Sequence, residues 1–184
     1  KFLDFYKSCI CYDGKYIQTN TVLKWILKKN DDVKIEVNKI KFCDLNDWIL
    51  PKPLERISHS SKRFFSIDGI SIKTNWGKKH FWQQPIINQP EVGFLGFITK
   101  KIDGILHFLV QAKIEPGNIN KVQLSPTLQA TRSNYLQIHK GKEPLYLKYF
   151  LQSKNTEILL DQLQSEQGAR FLKKRNRNII IEIK

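Results

Sequence analysis

The sequence predicts an α+β fold, in which strands and a few helices follow one another without the repeating βαβ rhythm of a parallel sheet. Residues 106–115 alternate between apolar and polar side chains, which is typical of a strand. Asp103 and Gly104, directly before that segment, predict the tight turn of a hairpin. Within residues 22–26, apolar side chains recur at i, i+3 and i+4, the spacing of one helix face.

The composition favours a folded chain over a disordered one. Of the 184 residues, 41% are hydrophobic and 26% are charged, which permits one compact domain with a sizeable core. We expect a single domain over residues 1–184, with a lead-in over 1–58 and the functional motifs over 59–184.

The sequence favours neither a membrane-spanning protein nor a secreted one. No apolar run approaches the roughly 20 residues of a membrane helix, and the closely spaced charges of the first residues are not typical of a signal peptide. We therefore expect a cytoplasmic protein without a membrane partner. The three cysteines lack the paired spacing of a zinc site, so we interpret them as ordinary thiols and expect no metal.

The formal charge of +14 allows two interpretations. A basic surface binds nucleic acid non-specifically, and it also attracts a small ligand that bears a pyrophosphate. The lysines are spread along the chain, and the one dense basic run lies at residues 173–177. A solvated surface explains most of the charge, so nucleic acid is the less favoured partner.

The N-terminal third is interpreted as structural packaging. Thr21 is placed to cap a helix that ends at residues 30–32, where Asn-Asp-Asp interrupts the pattern. Residues 33–37 alternate as a short strand. Asp44 is expected to cap a helical turn that reaches Trp48.

Two hairpins are expected in the middle of the chain. In the first, Asp68 and Gly69 supply the positive φ angles of a tight turn within residues 64–72. In the second, residues 93–98 pair with residues 106–115. The segment between the hairpins, residues 82–91, is extended, and its prolines suit a sheet edge or a cleft rim. Gly93 and Gly96 leave room for a backbone or a ligand to approach.

The remaining elements rest on shorter signals. They are, in order, a strand at residues 122–125, a polar loop at 129–137, a helix at 143–150 with Pro144 in its first turn, a strand at 157–161, a helix at 166–175 capped by Ser165, and a strand at 179–183.

The polar face of the strand at residues 106–115 is the first indication of a site. It carries an imidazole, an amide, an ammonium and a carboxylate, on His107, Gln111, Lys113 and Glu115. An exposed strand face seldom needs four such groups in a row. We interpret this face as the floor of a ligand site.

Several long strings, in this order, resemble the NDP-hexose 2,3-dehydratase family. They are HSSKRFFSIDGISI, WQQPIINQPEVGFLGF, DGILHFLVQAKIEPGN, VQLSPTLQATRSNY and LQSEQGARFLKKRNRN. The resemblance implies a Nudix-like α+β fold, a mixed or antiparallel sheet with flanking helices. Members of the family usually carry two tandem modules, whereas one is found here without an internal repeat, so we expect a homodimer to replace the tandem. The glutamate-rich signature of Nudix hydrolases is absent, so neither pyrophosphate cleavage nor its metal site is expected.

The resemblance also implies a reaction. The family is a carbon–oxygen lyase of deoxysugar biosynthesis that acts on a nucleotide-linked (dTDP or UDP) 4-keto-6-deoxyhexose. The C4 ketone acidifies the C3 hydrogen, a base removes it, and the C2 hydroxyl leaves as water. This chemistry needs a base, an acid and a group that stabilises the enolate oxygen, but no redox cofactor and no metal.

Five side chains are candidates for these roles: His139, Glu115, Lys113, Tyr135 and His107. His139 and Glu115 are favoured as base or acid, in either order, and Lys113 as the stabiliser of the enolate oxygen. Tyr135 can donate a proton or stack. The alternative for His107 is a satisfied core imidazole, and for Lys113 and Glu115 it is a simple salt bridge between them.

The diphosphate and the nucleotide base require other groups. Arg132 offers a guanidinium fork for a diphosphate, and Trp82 or Tyr135 offers a ring for the base. The remaining candidate substrate ligands are Gln84, Gln89, Gln111, Asn118, Gln123, Ser133, Asn134, Arg170 and Arg177. The alternatives are a self-bonded loop for Ser133, a helical pair with Glu166 for Arg170, and a solvated helix end for Arg177.

Two other functions stay open at this point. A basic nucleic-acid-binding module explains the charge but not the polar strand face. A non-catalytic half-module would bind a nucleotide sugar and act only beside a second chain.

Overall fold

The computed structural model describes residues 2–53, 55–131, 143–151 and 155–184. The helices are α1 (Phe2–Ile10), α2 (Thr19–Asp32) and α3 (Leu147–Leu151), with a 3-10 turn at Phe42–Asp44. The strands are β1 (Trp48–Ile49), β2 (Arg56–His59), β3 (Ser66–Lys73), β4 (Phe81–Asn88), β5 (Gly93–Ile102), β6 (Ile105–Ile114), β7 (Val122–Pro126), β8 (Leu128–Ala130), β9 (Thr156–Ser165) and β10 (Arg175–Ile183).

The strands form two sheets, which confirms the α+β prediction. One sheet has the order β1-β2-β3-β4, and the other has the order β7-β6-β5-β10-β9, with β8 paired to β5. The chain divides into two compact units. The first comprises Lys1–Val37, Gly93–Gln162 and Arg177–Lys184, and the second comprises Asn38–Val92 and Leu163–Asn176. Among the described residues, no helix is both long and apolar enough to span a membrane.

The core of the first unit forms around the central strand β5. Phe94 and Ile98 of β5 are buried with Leu128 and Ala130 of β8, and the remaining members are Leu147, Phe150, Ile179 and Ile181. The buried Thr99 hydroxyl donates to the Ile181 carbonyl at 2.9 Å, so the one fully buried polar side chain on this strand is satisfied. The strands predicted at residues 122–125, 157–161 and 179–183 are all confirmed.

The predicted hairpin of β5 and β6 is confirmed. Asp103 and Gly104 have φ angles of 49° and 78°, which is the conformation that a type I′ turn requires. Another group lies close to Gly96, as expected, and that group is a side chain. A Cβ at Gly96 would lie 2.5 Å from the Phe150 ring.

The predicted hairpin at residues 64–72 is wrong. Asp68 and Gly69 lie inside the continuous strand β3, where Asp68 pairs with Arg56 of β2 and with Ile86 of β4. The Asp68 carboxylate accepts hydrogen bonds from Ser66 Oγ at 3.1 Å and from Asn88 Nδ2 at 2.8 Å. These partners on the sheet satisfy the aspartate that a turn would otherwise have used. The extended segment before β5 forms β4, the last strand of its sheet, as its prolines predicted.

Three predictions in the N-terminal segments are also corrected. Helix α2 begins at Thr19 with Gln18 as its N-cap, so Thr21 lies inside the helix, although the predicted end at residues 30–32 is confirmed. Residues 33–37 do not form the predicted strand. The 3-10 turn at Phe42–Asp44 ends at Asp44, and Trp48 begins β1.

The helix predicted at residues 166–175 is absent. Strand β9 continues to Ser165, and the Glu166 amide bonds to the Lys174 carbonyl at 3.0 Å. The Arg170 carbonyl accepts the Ile87 amide at 2.8 Å. Partners distant in sequence therefore satisfy backbone groups that a helix would have used. The helix predicted at residues 143–150 is shorter than expected, since α3 begins at Leu147.

The contact of Gly96 with Phe150 generates a stability prediction. We expect Gly96→Ala to lower the free energy of unfolding by about 1–3 kcal/mol, because the added methyl group forces a ring that is only 9% exposed to move. Urea denaturation measures the change. Gly69→Ala is the matched control, since Gly69 also lies in a strand but a Cβ added there would meet no atom within 4 Å. Equal unfolding midpoints for the two variants would contradict the close packing at Gly96.

Candidate active site

A small polar pocket lies at the end of β6 in the first unit. Its volume is about 100 Å³, and its polar lining residues are Lys113, Glu115, Asn118, Gln123, Ser125 and Gln129. The antiparallel register pairs Lys113 with Gln123 and Gln111 with Ser125, so residues two apart on β6 meet residues two apart on β7. The C-terminal end of the predicted floor strand therefore lines a polar pocket, and its role as the floor of a ligand site stays a prediction.

A cation and a carboxylate stand side by side in this pocket. Lys113 Nζ lies 2.9 Å from Glu115 Oε1, and these side chains are 30% and 46% exposed. Gln129 Nε2 donates to the same oxygen at 3.2 Å. The expected salt bridge is thus formed, and it lies within reach of solvent. In such a pair the ammonium can stabilise a developing negative charge, and the carboxylate can accept a proton from a neighbouring position.

Two predicted amide ligands hold the backbone around the pair. The backbone N–H of Asn118 donates to the Glu115 carbonyl at 3.1 Å, and the side-chain Nδ2 of Asn118 lies 3.5 Å from the Lys113 carbonyl. Gln111 Nε2 donates to the Pro126 carbonyl at 2.9 Å. Asn118 therefore supports the turn after β6, and Gln111 ties β6 to the end of β7.

His107 lies at the other end of the same strand. Its Nδ1 donates to the Ile105 carbonyl at 3.0 Å, while Nε2 accepts the amides of Lys15 at 2.9 Å and Tyr16 at 3.3 Å. This arrangement requires the neutral imidazole that bears its proton on Nδ1. The six-residue separation from Lys113 corresponds to roughly 20 Å along a strand. His107 thus holds the segment between α1 and α2, and its predicted catalytic role stays a prediction.

A larger apolar cavity of about 570 Å³ adjoins His107 in the first unit. Val22 and Trp25 of α2 line it from one side, and Phe108 and Leu109 of β6 line it from another. Phe108 contacts the ring of Phe5 in α1, at 6.4 Å between centroids, and remains 38% exposed.

The second unit contains four of the predicted substrate ligands. Trp82 Nε1 donates to Gln84 Oε1 at 2.9 Å, and Gln84 Nε2 donates to the Ala169 carbonyl at 2.8 Å. Gln84 also lines an open cavity of about 500 Å³ on β3 and β4. Gln89 is half-buried, and Arg170 is exposed in the turn that follows β9. The predicted pairing of Arg170 with Glu166 is not formed, because the Glu166 carboxylate binds Gln167 N and Asn176 Nδ2.

Arg177 already has a strong protein partner. It lies in β10, and its Nε and Nη2 atoms donate to the two oxygens of Asp161 at 2.7 and 2.5 Å. The guanidinium lies 5.0 Å from the centre of the Phe94 ring. These hydrogen bonds hold the pKa of the Asp161 carboxyl below its usual value. Arg177 does not lie at a solvated helix end, since no helix forms there.

Five predicted site residues lie outside the described residues: Arg132, Ser133, Asn134, Tyr135 and His139. Their roles stay predictions.

Sequence reasoning missed two members of the polar pocket. Gln129 and Ser125 belong to β8 and β7, and Ser125 Oγ lies 3.4 Å from Gln129 Oε1. A usable signal for Gln129 was present, because it stands between the apolar residues Leu128 and Ala130 in the alternating pattern of a strand.

Comparison with known proteins shows which family the sequence resembles. The sequence matches the NDP-hexose 2,3-dehydratase family over residues 19–184. It is 45% identical over 179 residues to the dTDP-4-dehydro-6-deoxy-alpha-D-glucopyranose 2,3-dehydratase of Saccharopolyspora spinosa, which covers 97% of this chain and 37% of the relative. A protein of the same name from Amycolatopsis orientalis is 45% identical over 180 residues, covering 95% of this chain and 38% of the relative. The chain thus spans less than two fifths of the length of these relatives.

The bidentate contact of Arg177 generates a prediction about pH. Because the pKa of Asp161 is lowered in the folded state, its carboxylate stabilises the fold above the ordinary aspartate pKa, and this stabilisation is lost as the pH falls through the folded pKa. We expect Arg177→Met to return the Asp161 pKa towards its usual value. The variant should therefore be less stable than the unmodified chain at about pH 7. Between about pH 7 and pH 3 it should lose less further stability than the unmodified chain does.

NMR titration of the Asp161 carboxyl and urea unfolding at both pH values provide the measurements. Lys28→Met is the control, because its pair with Asp32 is an exposed i, i+4 contact on α2 and should contribute little. An unchanged Asp161 titration in Arg177→Met would show that the two side chains are not coupled in solution.

Proposed function

We propose that this chain, which belongs to the NDP-hexose 2,3-dehydratase family, carries the proton-abstraction site of a nucleotide-sugar 2,3-dehydratase. The observation that supports this most directly is the solvent-accessible pair of Lys113 and Glu115 in the polar pocket. The proposed substrate is a dTDP-linked 4-keto-6-deoxyhexose, in keeping with the names of the relatives. UDP remains the alternative nucleotide.

The proposed reaction begins at two neighbouring atoms of the sugar. Glu115 removes the C3 proton, and Lys113 donates a hydrogen bond to the C4 oxygen as it gains negative charge. The two groups are 2.9 Å apart, which suits the adjacent positions of the C3 hydrogen and the C4 oxygen. A positioned base contributes about 10²–10⁴-fold to such a step, and a charged donor at the oxyanion contributes a comparable factor.

Loss of water completes the elimination. The enolate electrons form the C2–C3 double bond as the C2 hydroxyl leaves, and the proton taken from C3 can return to that hydroxyl through Glu115. The enol product then tautomerises to a 3,4-diketo sugar. No electrons are transferred to or from the sugar overall, so the reaction requires no redox cofactor. His139 and Tyr135 remain alternative proton carriers.

Binding of the nucleotide is assigned to groups that are still predictions. Arg132, Ser133 and Asn134 are proposed for the diphosphate. Stacking of Trp82 or Tyr135 on the nucleotide base stays a prediction. The electrostatic field of a chain with a formal charge of +14 favours this anionic ligand.

The proposed chemistry is tested by two substitutions in the pocket. We expect the chain to release water from a dTDP-4-keto-6-deoxyhexose, detected as a mass loss of the sugar nucleotide. Glu115→Gln removes the base and should lower the rate about 10²–10⁴-fold, and Lys113→Met should lower it about 10²–10³-fold. Because the two groups act on one step, the double variant should be scarcely slower than Glu115→Gln alone.

Glu55→Gln is the matched control for this experiment. Its carboxylate is exposed and lies in the second unit, so the rate should not change. Binding of the sugar nucleotide without loss of water would favour the non-catalytic half-module over the enzyme. Full activity in Glu115→Gln would move the base to another residue.

A homodimer is also proposed, on the resemblance alone. Light scattering of the purified chain should then give twice the chain mass of 21.7 kDa. A mass of one chain at micromolar concentration would contradict it. Hydrogen exchange, which slows where amides become covered, would locate the interface.

A further inference from the structure

The backbone of β8 holds the Gln129 side chain over the polar pocket. Its neighbours Leu128 and Ala130 are 2% and 5% exposed and belong to the core, and Gln129 pairs with Leu95 of β5. Because successive side chains on a strand point to opposite faces, burial of both neighbours directs Gln129 away from the core. Its position is therefore set by a rigid element and not by a loop.

The orientation of the Gln129 amide follows from its two neighbours. A carboxylate can only accept hydrogen bonds, so the amide Nε2 must face Glu115, at 3.2 Å from Oε1. The amide Oε1 is then turned towards Ser125 Oγ, which donates to it at 3.4 Å. The contacts of Ser125, Gln129 and Lys113 thus converge on Glu115: Ser125 donates to Gln129, and both Gln129 and Lys113 donate to the Glu115 carboxylate.

Both donors to Glu115 act on the same oxygen atom. Lys113 Nζ and Gln129 Nε2 bind Oε1, and within the described part of the chain no group donates to Oε2. These two contacts restrain the carboxylate through Oε1, and of the described groups none occupies Oε2. A side chain that is 46% exposed would otherwise sample several rotamers, since a partly exposed ion pair alone is a weak restraint.

We propose that Gln129 is a positioning residue that fixes Glu115 so that Oε2 accepts the C3 proton. This inference rests on the proposed function. Lys113 is required to serve the enolate oxygen as charge develops there, which weakens its hold on Glu115 at the moment of proton transfer. Gln129 is neutral and bonded only to protein groups, so it keeps Oε1 in place throughout the step. The proton moves from C3 to Oε2, and the electron pair remains on the sugar.

Kinetics of Gln129 variants provide the first test. Gln129→Met keeps the length of the side chain and removes both polar atoms, and we expect kcat to fall about 10- to 100-fold. KM should stay within about twofold, because the amide does not contact the substrate. Ser125→Ala should produce a smaller fall in kcat. Gln18→Met is the matched control, since this exposed glutamine makes no side-chain hydrogen bond to the helix it precedes, and its activity should equal that of the unmodified chain.

A second variant distinguishes positioning from a general loss of structure. Gln129→Glu places a second carboxylate against Glu115, and among the described residues the charged side chains that line the pocket are Lys113 and Glu115 themselves. The acid limb of the pH–rate profile should move to higher pH, because like charges favour protonation of the pair. A side chain at position 129 that does not contact Glu115 in solution would change the rate without moving the profile. NMR titration of the Glu115 side-chain carboxyl should report the same upward shift without reference to turnover.

The outcomes separate the role of Gln129 from the proposed function. If the unmodified chain releases no water, the function and the role are both overturned. If the unmodified chain is active and Gln129→Met retains full kcat, the role alone is overturned. An unmoved Glu115 titration in Gln129→Glu would likewise overturn it.

Discussion

The antiparallel register of β6 between β5 and β7 is the constraint on which the first unit depends. Ile98 pairs with Leu109 on one side, and Lys113 pairs with Gln123 on the other. A slip of one residue would send every side chain of β6 to the opposite face and would disperse the polar pocket. The turn at Asp103 and Gly104 sets this register, since both residues adopt the positive φ angles that the short connection requires.

The two ends of β6 have different surroundings and therefore different uses. At the N-terminal end, Leu106 is 3% exposed and His107 binds the backbone of the segment between the first two helices. At the C-terminal end, Lys113 and Glu115 reach a pocket that is open to solvent. Polar groups that are fully bonded to backbone support structure, whereas partly exposed groups with unused hydrogen-bonding capacity remain available to a ligand.

The same contrast bears on the candidate ligands. Arg177 has bidentate contacts with Asp161 and lies over the Phe94 ring, and a diphosphate would have to compete with both. Lys113 has three N–H donors, and in the described part of the chain its ion pair is with a single carboxylate oxygen, so further donors are available to a ligand. This difference in available donors, more than the type of residue, makes the pocket of Lys113 the better candidate for chemistry.

The sequence by itself determined the features that depend on neighbouring residues. The hairpin of β5 and β6 follows from local turn chemistry, and the common face of Lys113 and Glu115 follows from the two-residue period of a strand. Only the tertiary structure decided that Asp68 continues a strand, because Arg56, Ser66 and Asn88 satisfy its carboxylate from the sheet. The tertiary structure also decided that the segment after Ser165 leads to β10 without forming the expected helix. It further decided that Gln129 contacts Glu115. These outcomes rest on hydrogen bonds between residues distant in the chain, whose pairing a local pattern does not encode.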